Sequence, residues 1–208
     1  AYPGAGLMAI VKRGGELDQD KICALCKDFG VTMTLNNTQS QIVVGGSKRR
    51  LSDMAGKLKE EGLRTTMLKV EGPFHTPIMK PAADKFNREL AEYDIDFASR
   101  PIMANVTSEA IVDPHHIKEE LYKQIFNIVD WRGSIERIIR RRDNIFIEVG
   151  PKKVLSNMIK DINPSVPRLN VENMETLTNT LEEFKALTAP EVDADELEPL
   201  EDGLDDMP

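Results

Sequence analysis

Apolar positions along the first seventy residues fall into alternating short runs and helical stripes. Residues 7–11 (Leu-Met-Ala-Ile-Val) form a run suited to a strand, stopped by Gly14-Gly15. Leu17, Ile22, Leu25, Cys26 and Phe29 then recur near helical spacing, with Asp18 and Asp20 in the first turn and Gly30 placed to end the helix. Residues 31–35 and 41–44 read as two strands flanking the turn-forming cluster Asn36-Asn37-Thr38-Gln39. Ser47 is a candidate N-cap for a basic amphipathic helix running to about residue 61, and residues 65–70 form a fourth strand.

The order β-α-β-β-α-β is that of the split βαβ, or ferredoxin-like, arrangement. After it the pattern changes. Residues 78–93 predict a long helix with Met79, Ala82, Ala83, Phe86, Leu90 and Tyr93 along one face. Residues 102–106 read as a strand, Pro114 opens another helix, and a further helix runs from about 131 to 142. A buried strand is expected at 144–149, a helix from 154, a short strand at 169–171 and a last amphipathic helix over 175–187. Strands alternating with helices imply an α/β layer. The fold class expected is therefore α/β: an α+β ferredoxin-like subdomain over 7–70, an α/β subdomain over 71–188, and a tail over 189–208.

Composition changes this picture at one end. The chain has 208 residues, 40% hydrophobic and 30% charged, which is ordinary for a soluble globular protein. Its apolar runs fall far short of the roughly 18 residues a membrane helix needs, and no secretory segment opens it. Two cysteines make no disulfide framework, so a reducing cytoplasm is the expected setting. The net charge of −8 belongs to the tail: residues 190–208 hold nine acidic and no basic side chains, leaving 27 basic against 26 acidic elsewhere. That composition predicts disorder. Leu197, Leu200, Leu204 and Met207 nevertheless follow helical spacing, so the tail is expected to act as a linker or docking peptide. The near-neutral remainder carries basic clusters Lys48-Arg49-Arg50 and Arg140-Arg141-Arg142 without interleaved aromatics, which speaks for solvated helix faces and against nucleic acid.

Candidate chemistry is sparse. Cys23 and Cys26 lie on the apolar face of the first helix, and neither His75, His115 nor His116 stands at a spacing that would complete a zinc site, so no metal is expected. Gly4-Ala5-Gly6 lacks the third glycine and acidic partner of a dinucleotide fingerprint. Asp113 and His115-His116 sit where helix capping accounts for them. None of the eight serines stands in a Gly-x-Ser-x-Gly elbow. One stretch is left, Gly72-Pro73-Phe74-His75-Thr76-Pro77. Prolines and glycine fix the backbone around His75, which suits either a rigidly held catalytic base or a solvated residue in a strand-to-helix connection.

Six stretches in order resemble the malonyl-CoA:acyl-carrier-protein transacylases and the related acyltransferase domains of polyketide synthases. They begin at Gly4-Ala5-Gly6-Leu7-Met8-Ala9-Ile10 and Asn37-Thr38-Gln39-Ser40-Gln41-Ile42-Val43-Val44-Gly45-Gly46. Gly72-Pro73-Phe74-His75-Thr76-Pro77-Ile78-Met79 and Pro101-Ile102-Met103-Ala104-Asn105-Val106-Thr107 follow. The last are Gln124-Ile125-Phe126-Asn127-Ile128-Val129-Asp130-Trp131 and Ile147-Glu148-Val149-Gly150-Pro151-Lys152-Lys153-Val154-Leu155.

The resemblance implies a ping-pong transfer of malonate from CoA to the phosphopantetheine thiol of an acyl carrier protein, without a cofactor. His75 stands where the family has its general base, and Gln124 where a backbone carbonyl orients that base. Phe74 matches the malonyl-selective form of the motif and is the expected substrate-side residue. Leu35 replaces a usual Asn, and Gln39 and Ile128 each replace a usual Pro. The family's serine elbow, oxyanion-hole loop and carboxylate-binding arginine precede every matched stretch. The expectation is thus a fragment or one half of a split enzyme, inactive alone, with an N-terminal half supplying Ser and Arg. A non-catalytic module that binds the carrier through the basic clusters is the alternative.

Overall fold

The computed structural model describes residue 2, residues 4–141 and residues 144–189. Apart from Ala189, the acidic tail lies outside the described residues, as does Arg142. Among the described residues no helix is long and apolar enough to cross a membrane.

The chain opens with β1 (Ala5–Val11), α1 (Gln19–Phe29), β2 (Thr32–Thr38), β3 (Gln41–Ser47), α2 (Lys48–Glu60) and β4 (Arg64–Met67). Asp18 caps α1 by accepting from Lys21 N at 3.0 Å, and Gly30 closes it in the left-handed region at φ 59°. Ser47 caps α2, its hydroxyl accepting from Arg50 N at 3.3 Å. The four strands form one antiparallel sheet in the order β2-β3-β1-β4. Met8, Ile10, Ile42 and Val44 pack one face against Ile22 and Cys26 of α1 and Leu51, Met54 and Leu58 of α2. Leu7, Ala9 and Val43 fill the other face with Leu35, Leu68 and Val70. Burial on both faces is why β1 and β3 read as continuous apolar runs and not as alternating ones.

The second half covers that other face. A 3-10 turn (Pro77–Met79) leads into α3 (Lys80–Leu90), then β5 (Ile102–Met103), β6 (Ala110–Ile111), α4 (Pro114–Lys123), α5 (Trp131–Ile139), β7 (Phe146–Val149), α6 (Val154–Ile162), β8 (Arg168–Val171) and α7 (Met174–Thr188). The helix expected at 78–93 is shorter at both ends: Pro81 has no N–H to give Pro77 O, which leaves a tight turn before α3, and beyond Leu90 the N–H groups of Glu92 and Tyr93 bond only three residues back. The strand expected at 102–106 stops at Met103, where the chain doubles back into β6; Ser108 N closes this hairpin onto Ala104 O at 3.0 Å. β7 and β8 pair in parallel around α6. The strand expected to be buried at 144–149 is not: Ile147 and Val149, two apart and so on one face, are 43% and 78% exposed.

Hydrogen bonds join the halves at β2 and at the β2–β3 turn. Asn36 N donates to Val129 O and Val129 N to Thr34 O, each at 2.9 Å, so residue 129 extends the sheet beyond β2 as a parallel bridge. At the β2–β3 turn, Ser40 Oγ donates to Asp161 Oδ2 of α6 at 2.6 Å.

Candidate functional site

His75 occupies a turn between β4 and α3 and has φ 60°, left-handed backbone that a residue with a Cβ rarely adopts. Such a conformation costs on the order of 1–3 kcal/mol and persists only where its surroundings impose it. Here they do. His75 N donates to Ile125 O at 3.1 Å, and the next residue, Thr76, is 1% exposed with its hydroxyl donating to Pro73 O at 2.6 Å. Thr76 seats on bare backbone of the sheet: a Cβ at Gly45 would stand 2.8 Å from Thr76 Cγ2, 2.7 Å from Leu7 Cδ2 and 2.9 Å from Thr34 Cγ2. The sheet therefore fixes the height of the turn.

The ring is fixed from the other side. His75 Nδ1 lies 2.5 Å from the carbonyl oxygen of Gln124, which caps the C-terminal end of α4. A carbonyl only accepts, so Nδ1 carries the hydrogen and donates it. In the neutral ring Nε2 is then unprotonated and can take a proton. Two successive carbonyls, of Gln124 and Ile125, thus hold the imidazole and its own peptide N–H. Phe74, beside His75, is 43% exposed and lays its ring over Gly72.

The turn that offers these carbonyls is tied to the sheet through Asp130. Its carboxylate accepts from Asn36 Nδ2 at 2.8 Å, from Gly133 N at 3.1 Å as the cap of α5, and from Ser108 Oγ at 3.2 Å. Of the residues marked out in the sequence, His75 and Gln124 come together, while Phe74 precedes His75 in the turn with its ring over Gly72. Asn36, Ser108 and Asp130 were not marked, and only the N-cap signal of Asp130 before Trp131 was there to find.

The remaining candidates lie elsewhere. His115 and His116 open α4, where Asp113 Oδ1 accepts from both backbone N–H groups at 2.8 and 3.2 Å. Cys26 is buried in the α1 face of the first core, and burial followed by the charge of Cys23 pushes its thiol up to about 11. Among the described residues no three His, Cys, Asp or Glu side chains converge as a metal site would require. Arg50 of the first basic cluster donates to Gly30 O at 3.0 Å, satisfying the end of α1.

Residues 2–185 match the acyl transferase domain family. The malonyl CoA-acyl carrier protein transacylase of Staphylococcus aureus (strain COL) is 35% identical over 182 residues, covering 84% of this chain and 58% of that protein. The crystal structure of malonyl CoA-acyl carrier protein transacylase from Clostridium perfringens superposes with a TM-score of 0.83 at 30% identity, covering 90% of this chain and 59% of that one. A structure of a type II PKS acyl-carrier protein in complex with its malonyl-transacylase superposes with a TM-score of 0.81 at 27% identity, covering 88% and 60%. The chain thus spans less than two thirds of the length of these relatives. With the α/β fold, the motif order and the match over residues 2–185 in agreement, the chain belongs to the acyl transferase domain family.

Proposed function

We propose that this chain supplies the general-base part of a malonyl-CoA:acyl-carrier-protein S-malonyltransferase site, serving fatty-acid or polyketide synthesis. The observation that carries this reading is the bond from His75 Nδ1–H to Gln124 O, which leaves Nε2 free to accept a proton. As a serine oxygen bonds to the malonyl thioester carbon, Nε2 takes the hydroxyl proton and then gives it to the departing CoA thiolate. In the return half-reaction Nε2 takes the proton of the carrier's phosphopantetheine thiol, the sulfur attacks the acyl ester, and the proton goes back to the serine oxygen. Phe74 bounds the acyl side of the site. The serine, the oxyanion donors and the arginine for the malonyl carboxylate come from a segment outside this chain, joined to it or separate. The substrates are malonyl-CoA and the carrier protein, and no cofactor takes part. By itself the chain does not transfer malonate.

The test is incubation with labelled malonyl-CoA, with and without a separately supplied serine-bearing segment. Label is expected only in the mixture, passing to carrier protein when that is added. In the mixture, His75→Asn is expected to lower transfer by roughly 10²- to 10⁴-fold. Covalent labelling of this chain alone overturns the reading.

A second reading, a carrier-binding module without chemistry, is favoured by the exposed Lys48 and Arg49 that open α2 on an otherwise near-neutral body. It predicts carrier binding in the same mixture with no transfer for His75→Asn to remove.

A further inference from the structure

The two carbonyls that hold His75 belong to residues 124 and 125, beyond the last regular turn of α4. A helix end frays unless something fixes it, and a carbonyl there points where its side chains and neighbours let it. Two side chains on one face of α4 do that fixing, four residues apart. Gln124 Oε1 accepts from Asn105 Nδ2 at 2.6 Å, and Glu120 Oε1 accepts from Val106 N at 2.9 Å. Glu120 is a carboxylate only 8% exposed, so its bond replaces water it has lost.

Both partners lie in the β5–β6 hairpin, which is itself braced. Ala104 N donates to Glu109 O at 2.8 Å across its neck. On its far side Asn105 O accepts from Asp130 N at 2.7 Å. Asn105 therefore spans the gap between the end of α4 and the start of α5: its main chain is anchored at Asp130 and its side chain holds Gln124.

We propose that Asn105 is a positioning residue for His75: by holding the Gln124 side chain it aims the Gln124 carbonyl at Nδ1 and so selects the imidazole tautomer. This rests on the reading of His75 as the general base. Without the Asn105 amide, the Gln124 side chain is free to swing and the last turn of α4 to fray. The Nδ1–H group then trades its carbonyl for water, and the ring populates the Nε2–H tautomer, in which the nitrogen facing the reaction has no lone pair to offer.

The experiment is nitrogen-detected NMR of the whole chain labelled at its three histidines. Wild-type His75 is expected as the Nδ1–H tautomer. Asn105→Ala is expected to bring the two ring-nitrogen resonances of His75 toward one another, as mixing of tautomers requires, while His115 and His116 stay unmoved. Gln124→Met, which keeps the backbone carbonyl but removes the acceptor, is expected to do the same and decides the matter if Asn105→Ala does not fold. Asn105→Asp, able to accept from a turned Gln124 amide, is expected to restore the wild-type pattern. In the mixture with the serine-bearing segment, Asn105→Ala is expected to lower kcat by about ten- to a hundredfold. A pure Nδ1–H tautomer in the folded Asn105→Ala or Gln124→Met chain overturns the proposal, as does a wild-type His75 that is not Nδ1–H. If the tautomer scrambles as expected while His75→Asn still transfers malonate, the positioning stands and the general-base reading falls.

Discussion

Gly45→Ala is the substitution whose effect follows most directly from the packing. The added Cβ would lie under 3.0 Å from three carbons, on Leu7, Thr76 and Thr34, where about 3.5–4.0 Å is comfortable. None can retreat cheaply. Leu7, Thr34 and Thr76 are 4%, 0% and 1% exposed, and the two threonines are stiff at χ1 because they branch at Cβ. Overpacking of this kind costs about 1–3 kcal/mol, against about 0.5–1 kcal/mol regained by removing a glycine from a strand. The net expectation is a loss of about 0–2.5 kcal/mol, whose middle is close to a tenfold rise in the unfolded fraction. Because Thr76 must move, His75 moves with it, and the His75 ring signals should shift as well. Urea denaturation measures the first effect as a lower midpoint at unchanged slope. Gly6→Ala, also in a strand, is the control: its Cβ would meet only the flexible Lys48 and Met67 side chains at 3.5 Å or more, so it should show the gain of about 0.5–1 kcal/mol without the overpacking. A Gly45→Ala midpoint equal to that of Gly6→Ala would refute the account of how the turn is seated.

Two further outcomes follow from titrating groups. Burial raises the Glu148 carboxyl, but hydrogen bonds from Ser156 and from the backbone of Leu155 and Val154 outweigh it and leave the group below its usual range. Stability from a depressed carboxyl is present above its unfolded value of about 4.3 and lost as pH falls through the folded value, so Glu148→Gln should flatten the acid side of a stability profile. With its thiol at about 11, Cys26 is roughly a thousandth thiolate at pH 8. Iodoacetamide at that pH should modify Cys23 well before Cys26, the two becoming equivalent only in denaturant; peptide mass spectrometry reads the order.

Local signals made much of the first half legible. Ile22, Cys26 and Phe29 with Asp18 and Gly30 mark α1 because one side chain per turn must face the sheet and both ends need caps. The second half was less readable where structure depends on distant partners. Ala110–Ile111 makes a strand only by pairing with Ile102–Met103, too short to show a period. Ile147 and Val149 look like core by composition, yet exposure is set by what packs on them and not by their own hydropathy. The turn around His75 announced itself through Gly72, Pro73 and Pro77. Its partner Gln124, 49 residues away, came only from the resemblance, since a bond to a backbone carbonyl leaves no trace in residue type. Asn105 and Glu120 left no mark for the same reason: a hydrogen-bonded amide and a buried carboxylate look like surface residues in a sequence.

On the proposed role of His75, its left-handed backbone also sets folding and chemistry apart. Glycine there would relieve roughly 1–2 kcal/mol of local strain. What it would forfeit is the Nδ1 hydrogen bond, worth about 1 kcal/mol, and about 0.5–1 kcal/mol for the greater freedom a glycine loses on folding, so the exchange is close to neutral. Asparagine, which tolerates the same conformation, would sit between the two. A library varied at this position and selected for stability alone should therefore accept glycine and asparagine about as readily as histidine, while one selected for malonate transfer in the reconstituted mixture should return to histidine. The fold gains little from this ring, so only selection for chemistry should keep it there.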